Sequence, residues 1–136
     1  MRQLNIGICG LGTVGSGVLS VLQNNADIIR EKSSCLINVT HVATRNTNHG
    51  CNVENIQFSN DIFEVARDSD IDLVVELIGG TSSALELVML AISNGKHVVT
   101  ANKALIASMV RVFCKLLMKQ MSLLLLRHLW QVVYRF

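Results

Sequence analysis

The sequence predicts an α/β fold, a parallel sheet covered by helices on both faces. Three observations predict it. The chain opens with an apolar run, Leu4, Ile6 and Ile8 with small Gly7 and Cys9 between, which breaks at Gly10-Leu11-Gly12-Thr13-Val14-Gly15 and passes directly into helical spacing. Short runs rich in β-branched residues then alternate with segments of helical period. Two of those runs end in small or polar residues, at Gly79-Gly80-Thr81 and at Ala101-Asn102-Lys103, as strands do at the ligand-facing rim of a parallel sheet.

The opening stretch reads as strand, glycine-rich turn and helix, the first half of a Rossmann-type βαβ unit that holds a dinucleotide. Gly10 allows the tight turn off the strand. Gly12 has no Cβ, so a pyrophosphate can approach the backbone. Gly15 lets the helix lie close to the strand. The helix start then offers unpaired N–H groups and a partial positive charge to the phosphates. Gly10, Leu11, Gly12, Thr13, Val14 and Gly15 are therefore the candidate cofactor-binding residues here. The competing reading is a structural βα turn, since the glycine pattern alone is common.

The first helix is expected over 13–24, with Val14, Val18, Val21 and Leu22 as its apolar positions, and resumes over 26–31. Asp27, Arg30 and Lys32 form a solvated face. The second strand spans 36–43, beside and parallel to the first, and carries His41 as a structural residue rather than a ligand. Its tip decides the cofactor. An acid there would bind the ribose 2′-hydroxyl of NAD, and an arginine the 2′-phosphate of NADP. The tip reads Ala43-Thr44-Arg45-Asn46, so Arg45 favours NADP, with NAD as the alternative.

Residues 47–60 are polar and read as a loop; its His49 and Cys51 do not make a metal site. A short helix follows over 61–66, capped by Asn60 or Asp61. Asp68, Asp70 and Asp72 read as a solvated acidic edge. The third strand, 72–78, ends in Gly79-Gly80, candidate cofactor contacts on the rim. Thr81 is the N-cap of the next helix, whose buried face is expected from Leu85, Val88, Met89 and Ile92, and Asn94-Gly95 stops it. The fourth strand, 97–100, delivers Lys103 to the same rim, where it either meets the cofactor or substrate or is a surface lysine.

The 136 residues suit one domain, and half of them are hydrophobic. Four cysteines, at 9, 35, 51 and 114, lack metal-ligand spacing and read as reduced thiols of a cytoplasmic protein. Cys9 is expected to be buried. The first strand begins too early to leave room for a signal peptide. No metal, membrane or nucleic-acid partner is expected.

Four blocks, I-G-I-C-G-L-G-T-V-G-S-G-V, D-L-V-V-E-L-I-G-G, N-G-K-H-V-V-T and A-N-K-A-L-I-A, together resemble the nucleotide-binding domain of homoserine dehydrogenase over roughly residues 3–108. The resemblance implies a Rossmann-type domain joined to a substrate and dimerisation domain, hence a homo-oligomer at full length. It implies NAD(P)-linked interconversion of L-homoserine and L-aspartate 4-semialdehyde, in threonine and methionine synthesis. It also implies that Lys103, in the A-N-K motif, lies at the cofactor near the reacting centre. The family's substrate-binding glutamate and catalytic lysine have no position in these residues. The expectation is a cofactor half without activity of its own, so no catalytic residue is assigned. The alternatives are a non-catalytic NADP(H)-binding module and a domain of another NAD(P) oxidoreductase.

Residues 109–136 stand apart. They hold five Lys/Arg and no acid, whereas 1–108 hold seven Lys/Arg and ten Asp/Glu; proline is absent throughout. Lys115 and Lys119 beside Leu116, Leu117 and Leu123 fit a basic amphipathic helix. The genetic code offers another account. The codons of Trp130 and Gln131 force alanine in the neighbouring frame, and the surrounding junctions permit F-E-A-S-V-A-G-G-I-P, which resembles the family at this point. The tail is therefore expected to be out of frame, with a genuine basic helix and an unrelated extension as alternatives.

Overall fold

The structure, a computed structural model, describes residues 2–45 and 55–118, the stretch 112–118 as helix backbone only. The elements are β1 (Arg2–Cys9), α1 (Thr13–Asn24), α2 (Ala26–Ser33), β2 (Cys35–Ala43), β3 (Gln57–Ser59), α3 (Ile62–Arg67), β4 (Leu73–Glu76), α4 (Ser82–Ser93), β5 (His97–Thr100) and α5 (Lys103–Met118). The five strands form one sheet in the order β3-β2-β1-β4-β5, and all four pairings are parallel. The expected α/β class, with a Rossmann-like parallel sheet, is what the chain forms.

A parallel sheet buried on both faces needs apolar residues on both faces. In β1 every residue from Ile6 to Cys9 is buried. Ile6 and Ile8 join Val42, Val75 and Leu19 of α1 on one face. Cys9 joins Ala43, Val74 and Val98 on the other, against α3, α4 and α5. Gly7 matters on that second face. A Cβ there would collide with Val65 of α3 and come 2.6 Å from Ile71 Cδ1, so α3 presses on β1 only because position 7 has no side chain.

Several sequence expectations are corrected by this packing. The segment 47–60 is not all loop: Gln57–Ser59 adds β3 to the sheet edge beside β2. The face of α1 that meets the sheet is Gly15, Val18, Leu19 and Leu22, while Val14 and Val21 are 59% and 57% exposed. The close approach of Gly15 to the turn rotates the helix so that Val14 faces outward. In α4 the buried residues are Ala84, Leu87, Val88 and Ala91; Leu85 and Ile92 flank them and Met89 is exposed. Thr81 takes the N-cap position but its side chain makes no capping bond.

The helix ends follow local chemistry. Asp61 caps α3, its Oδ1 accepting from Phe63 N–H at 2.8 Å. Gly95, at φ +74°, ends α4 in a Schellman turn: its N–H donates to Ile92 C=O at 2.9 Å and Lys96 N–H to Ala91 C=O at 3.0 Å. The acidic edge is not simply solvated. Asp68 accepts from the buried His41 ring at 2.9 Å, Asp72 accepts from Asn5 N–H at 2.8 Å, and only Asp70 lacks such a tertiary bond from its carboxylate among the described residues. Lys96, also buried, donates its ammonium to the carbonyls of Asp68 and Ile71. The residues 109–111 continue α5 without a break, and Leu105 and Met109 share its buried face.

Candidate functional site

β1 is the central strand, with β2 on one side and β4 on the other. The chain reverses its direction of travel across the sheet there, and ligands of such sheets bind in the crevice above that point. The glycine turn fills it. Gly10 sits at φ +101°, a conformation that favours glycine, and a Cβ on it would lie 2.6 Å from the Leu77 carbonyl oxygen. Its N–H donates to Ala43 C=O at 2.8 Å, and Leu77 N–H donates to Cys9 C=O at 2.8 Å. The turn is thereby pinned to the ends of both neighbouring strands.

Gly12 and Gly15 are absent-side-chain positions of different kinds. A Cβ on Gly15 would collide with the Gly10 carbonyl oxygen, so Gly15 serves the packing of α1 on the turn. A Cβ on Gly12 would meet nothing within 4 Å. Gly12 is the N-cap of α1, no side chain caps that helix, and its first turn carries no acid. The leading N–H groups of a helix have no partner within it and carry partial positive charge. The opening of α1 thus offers donors without a competing carboxylate.

In front of the turn lies a cleft of about 510 Å³. Gly10, Leu11 and Gly12 form its back, Ala43, Thr44 and Arg45 one side, and Leu77, Ile78, Gly79 and Ser83 the other. Five of the residues read from the sequence, Gly10, Leu11, Gly12, Arg45 and Gly79, therefore line one cavity. Thr13 and Val14 stand exposed at the start of α1, outside the lining. Gly80 and Lys103 sit further along the same rim. Asn102 joins them: its Nδ2 donates to the Gly80 carbonyl, and Lys103 is the next residue, exposed, opening α5.

Sequence reasoning missed the fourth wall, Asn60, Asp61, Ile62 and Phe63. These residues reach the cleft because β3 extends the sheet beyond β2, a strand too short and too exposed to show a period. Asp61 puts an acid in the cleft that contains Arg45. Its carboxylate is engaged elsewhere, capping α3 and lying 3.8 Å from Arg67 Nη1. Glu76 was also missed, although an acid within D-L-V-V-E-L-I is a visible irregularity. It is fully buried at the end of β4. Cys9, under the turn, donates its thiol to the Ile62 carbonyl at 3.7 Å; burial first, then the negative charges of Glu76 and Asp61, push it up to about 12, so it remains an unreactive thiol. Among the described residues no group of three His, Cys, Asp or Glu could hold a metal ion, and no helix is long and apolar enough to cross a membrane.

The family model described as "Homoserine dehydrogenase, NAD binding domain" matches residues 10–119. The chain belongs to the homoserine dehydrogenase family. Homoserine dehydrogenase of Pseudomonas aeruginosa is 52% identical over 107 residues, which cover 79% of this chain and 25% of the relative. That of Methylobacillus glycogenes is 46% identical over 129 residues, covering 93% and 31%. The crystal structure of the Thiobacillus denitrificans homoserine dehydrogenase superposes with a TM-score of 0.72 at 47% identity, covering 79% of this chain and 25% of that one. The chain thus spans about a quarter of the length of the first of these relatives. The family match ends at residue 119, so it crosses residue 108, as α5 does. The matched region is a nicotinamide-dinucleotide-binding domain, and the cleft residues are of a kind that suits a dinucleotide: an open position at Gly12, an uncapped helix start behind it, and a cation at the side.

Proposed function

We propose that this chain is the cofactor-binding part of a homoserine dehydrogenase that prefers NADP. The observation that carries the reading is the glycine turn at the centre of the sheet, opening at Gly12 onto a cleft that contains Arg45. The backbone N–H groups that begin α1 hold the pyrophosphate, with the helix dipole favouring its charge. Arg45 offers a bidentate fork to a 2′-phosphate. Lys103, carried by the rim, lies toward the reacting end. NAD is the second reading: Asp61 lines the same cleft, but its carboxylate already caps α3 and lies near Arg67. The bound nicotinamide supplies the hydride chemistry; the residues described here orient it.

The reaction proposed for the full-length protein is the interconversion of L-homoserine and L-aspartate 4-semialdehyde, in a cytoplasmic homo-oligomer on the route to threonine and methionine. The relatives' shared name supports it. Residues 1–108 act in this reading as the dinucleotide-binding unit. The apolar tail around Trp130 is read from a shifted frame, and the substrate-binding part belongs to the restored frame. Hydride transfer requires homoserine held beside the nicotinamide and a base for its hydroxyl proton, and neither is assigned to these residues.

Expression of the 136-residue chain, in parallel with a gene carrying one inserted base near the Ser108/Met109 junction and the downstream frame, tests this. Homoserine-dependent reduction of NADP is expected only from the repaired protein. Turnover by the short chain, or none by the repaired one, contradicts the proposal.

A further inference from the structure

Glu76 is the one acid in β4, and it ends that strand fully buried. A buried carboxyl group needs hydrogen-bond partners. Its Oε1 accepts from Ile78 N–H at 2.9 Å. Its Oε2 accepts from the hydroxyl of Thr100, the buried last residue of β5. Thr100 Oγ1 in turn accepts from Asn102 N–H at 3.0 Å. Asn102 donates its side-chain amide to the Gly80 carbonyl, and its Oδ1 accepts from Leu105 N–H at 3.0 Å, which starts α5. One carboxyl group therefore reaches both rim segments, 78–80 after β4 and 101–103 after β5.

We propose that Glu76 is a positioning residue which, through Thr100 and Asn102, holds these two rim segments in place for the nicotinamide half of the dinucleotide. The inference rests on the dinucleotide reading above. In such sheets the adenosine ribose meets the tip of β2 and the pyrophosphate meets the glycine turn. The other half of the molecule then extends past Gly79, over the ends of β4 and β5. The direction of the bonds is what requires an acid. Thr100 has one proton to give, and Glu76 takes it, leaving the hydroxyl lone pairs for Asn102 N–H. A glutamine whose oxygen serves Ile78 would present N–H groups to Thr100. The hydroxyl proton would then lose its acceptor within the chain of bonds.

The test uses the 136-residue chain with Glu76→Gln, Thr100→Val and Thr100→Ser, and two probes, NADPH and 2′,5′-ADP, the adenosine half alone. Glu76→Gln and Thr100→Val are expected to weaken NADPH by about tenfold, the scale of one lost buried hydrogen bond. The fluorescence of bound NADPH should move toward that of the free molecule, while 2′,5′-ADP binds as before. Thr100→Ser keeps the hydroxyl and should behave as the unsubstituted chain. Equal losses for both probes would mean a general structural role and overturn the proposal, as would unchanged NADPH binding and fluorescence in Thr100→Val. If circular dichroism shows Glu76→Gln unfolded, Thr100→Val against Thr100→Ser decides. Binding of neither probe by the unsubstituted chain overturns the dinucleotide reading itself, and this proposal with it.

Discussion

Arg45 and Asp61 face one cleft with opposite charge, and the difference between them is what else each one holds. Asp61 Oδ1 caps α3 and Oδ2 lies near Arg67, so its charge is partly spent inside the fold. Arg45 is exposed at the tip of β2. If it pairs with a 2′-phosphate, Arg45→Asp removes a charge-assisted bond worth about 1.5–3 kcal/mol, roughly ten- to a hundredfold in affinity. Titration with NADPH and NADH should show that loss for NADPH and little change for NADH. Equal losses would mean that Arg45 serves the loop, and no loss would point to NAD. At this scale the glycines were legible from sequence because their reasons are local: a positive φ at Gly10, a close contact at Gly15. The roles of Gly7 and Glu76 were not, since each depends on a partner far along the chain, Val65 and Ile71 for one, Thr100 for the other.

Between elements, the connection from α3 to β4 is tied to β2 and to the end of α4. His41 reaches Asp68 from β2, Lys96 reaches the Asp68 and Ile71 carbonyls, and Asn94 reaches the Ala66 carbonyl at 2.9 Å. Burial alone would raise the Asp68 carboxyl, but the His41 hydrogen bond, the Asp70 N–H and the charges of His41 and Lys96 outweigh it and hold it below 3.8. The folded chain therefore gives up this proton more readily than the unfolded one. The stability it contributes is fully present above the unfolded value, near 4, and is lost as pH falls through the folded value. Asp68→Asn should lower the urea midpoint at pH 7, and the gap from the unsubstituted chain should close as pH falls below about 4. A gap independent of pH would contradict the assignment. The strands and helices themselves were legible because apolar period and stop signals coincide at each, as at Asn94-Gly95. The faces were less so. Val14 and Met89 fit the helical period but lie on the solvent side, because the approach of Gly15 to the turn and of Ala84 and Ala91 to the sheet sets the rotation of each helix.

Across the molecule, the order β3-β2-β1-β4-β5 does what no local segment can: it places the glycine turn between the tip of β2 and the tip of β4. Residues 12, 45 and 79 share a cavity only through that order. The sequence carried the class of the fold, since strands alternating with helices have few parallel arrangements. It did not carry β3, whose three residues are mostly exposed, and so it missed the wall formed by 60–63. The reading of 119–136 lies outside the described residues. In the proposed reading the opening of α1 at Gly12 receives a dinucleotide pyrophosphate. NADPH titration, followed by nicotinamide fluorescence, of the unsubstituted chain and of Gly12→Val tests it most directly. Position 12 has open space and an ordinary φ of −77°, so the valine chain should still fold, with only the modest loss of melting temperature that a poorer N-cap brings, and yet fail to bind NADPH. A folded Gly12→Val chain that binds NADPH as tightly as the unsubstituted one would contradict the account.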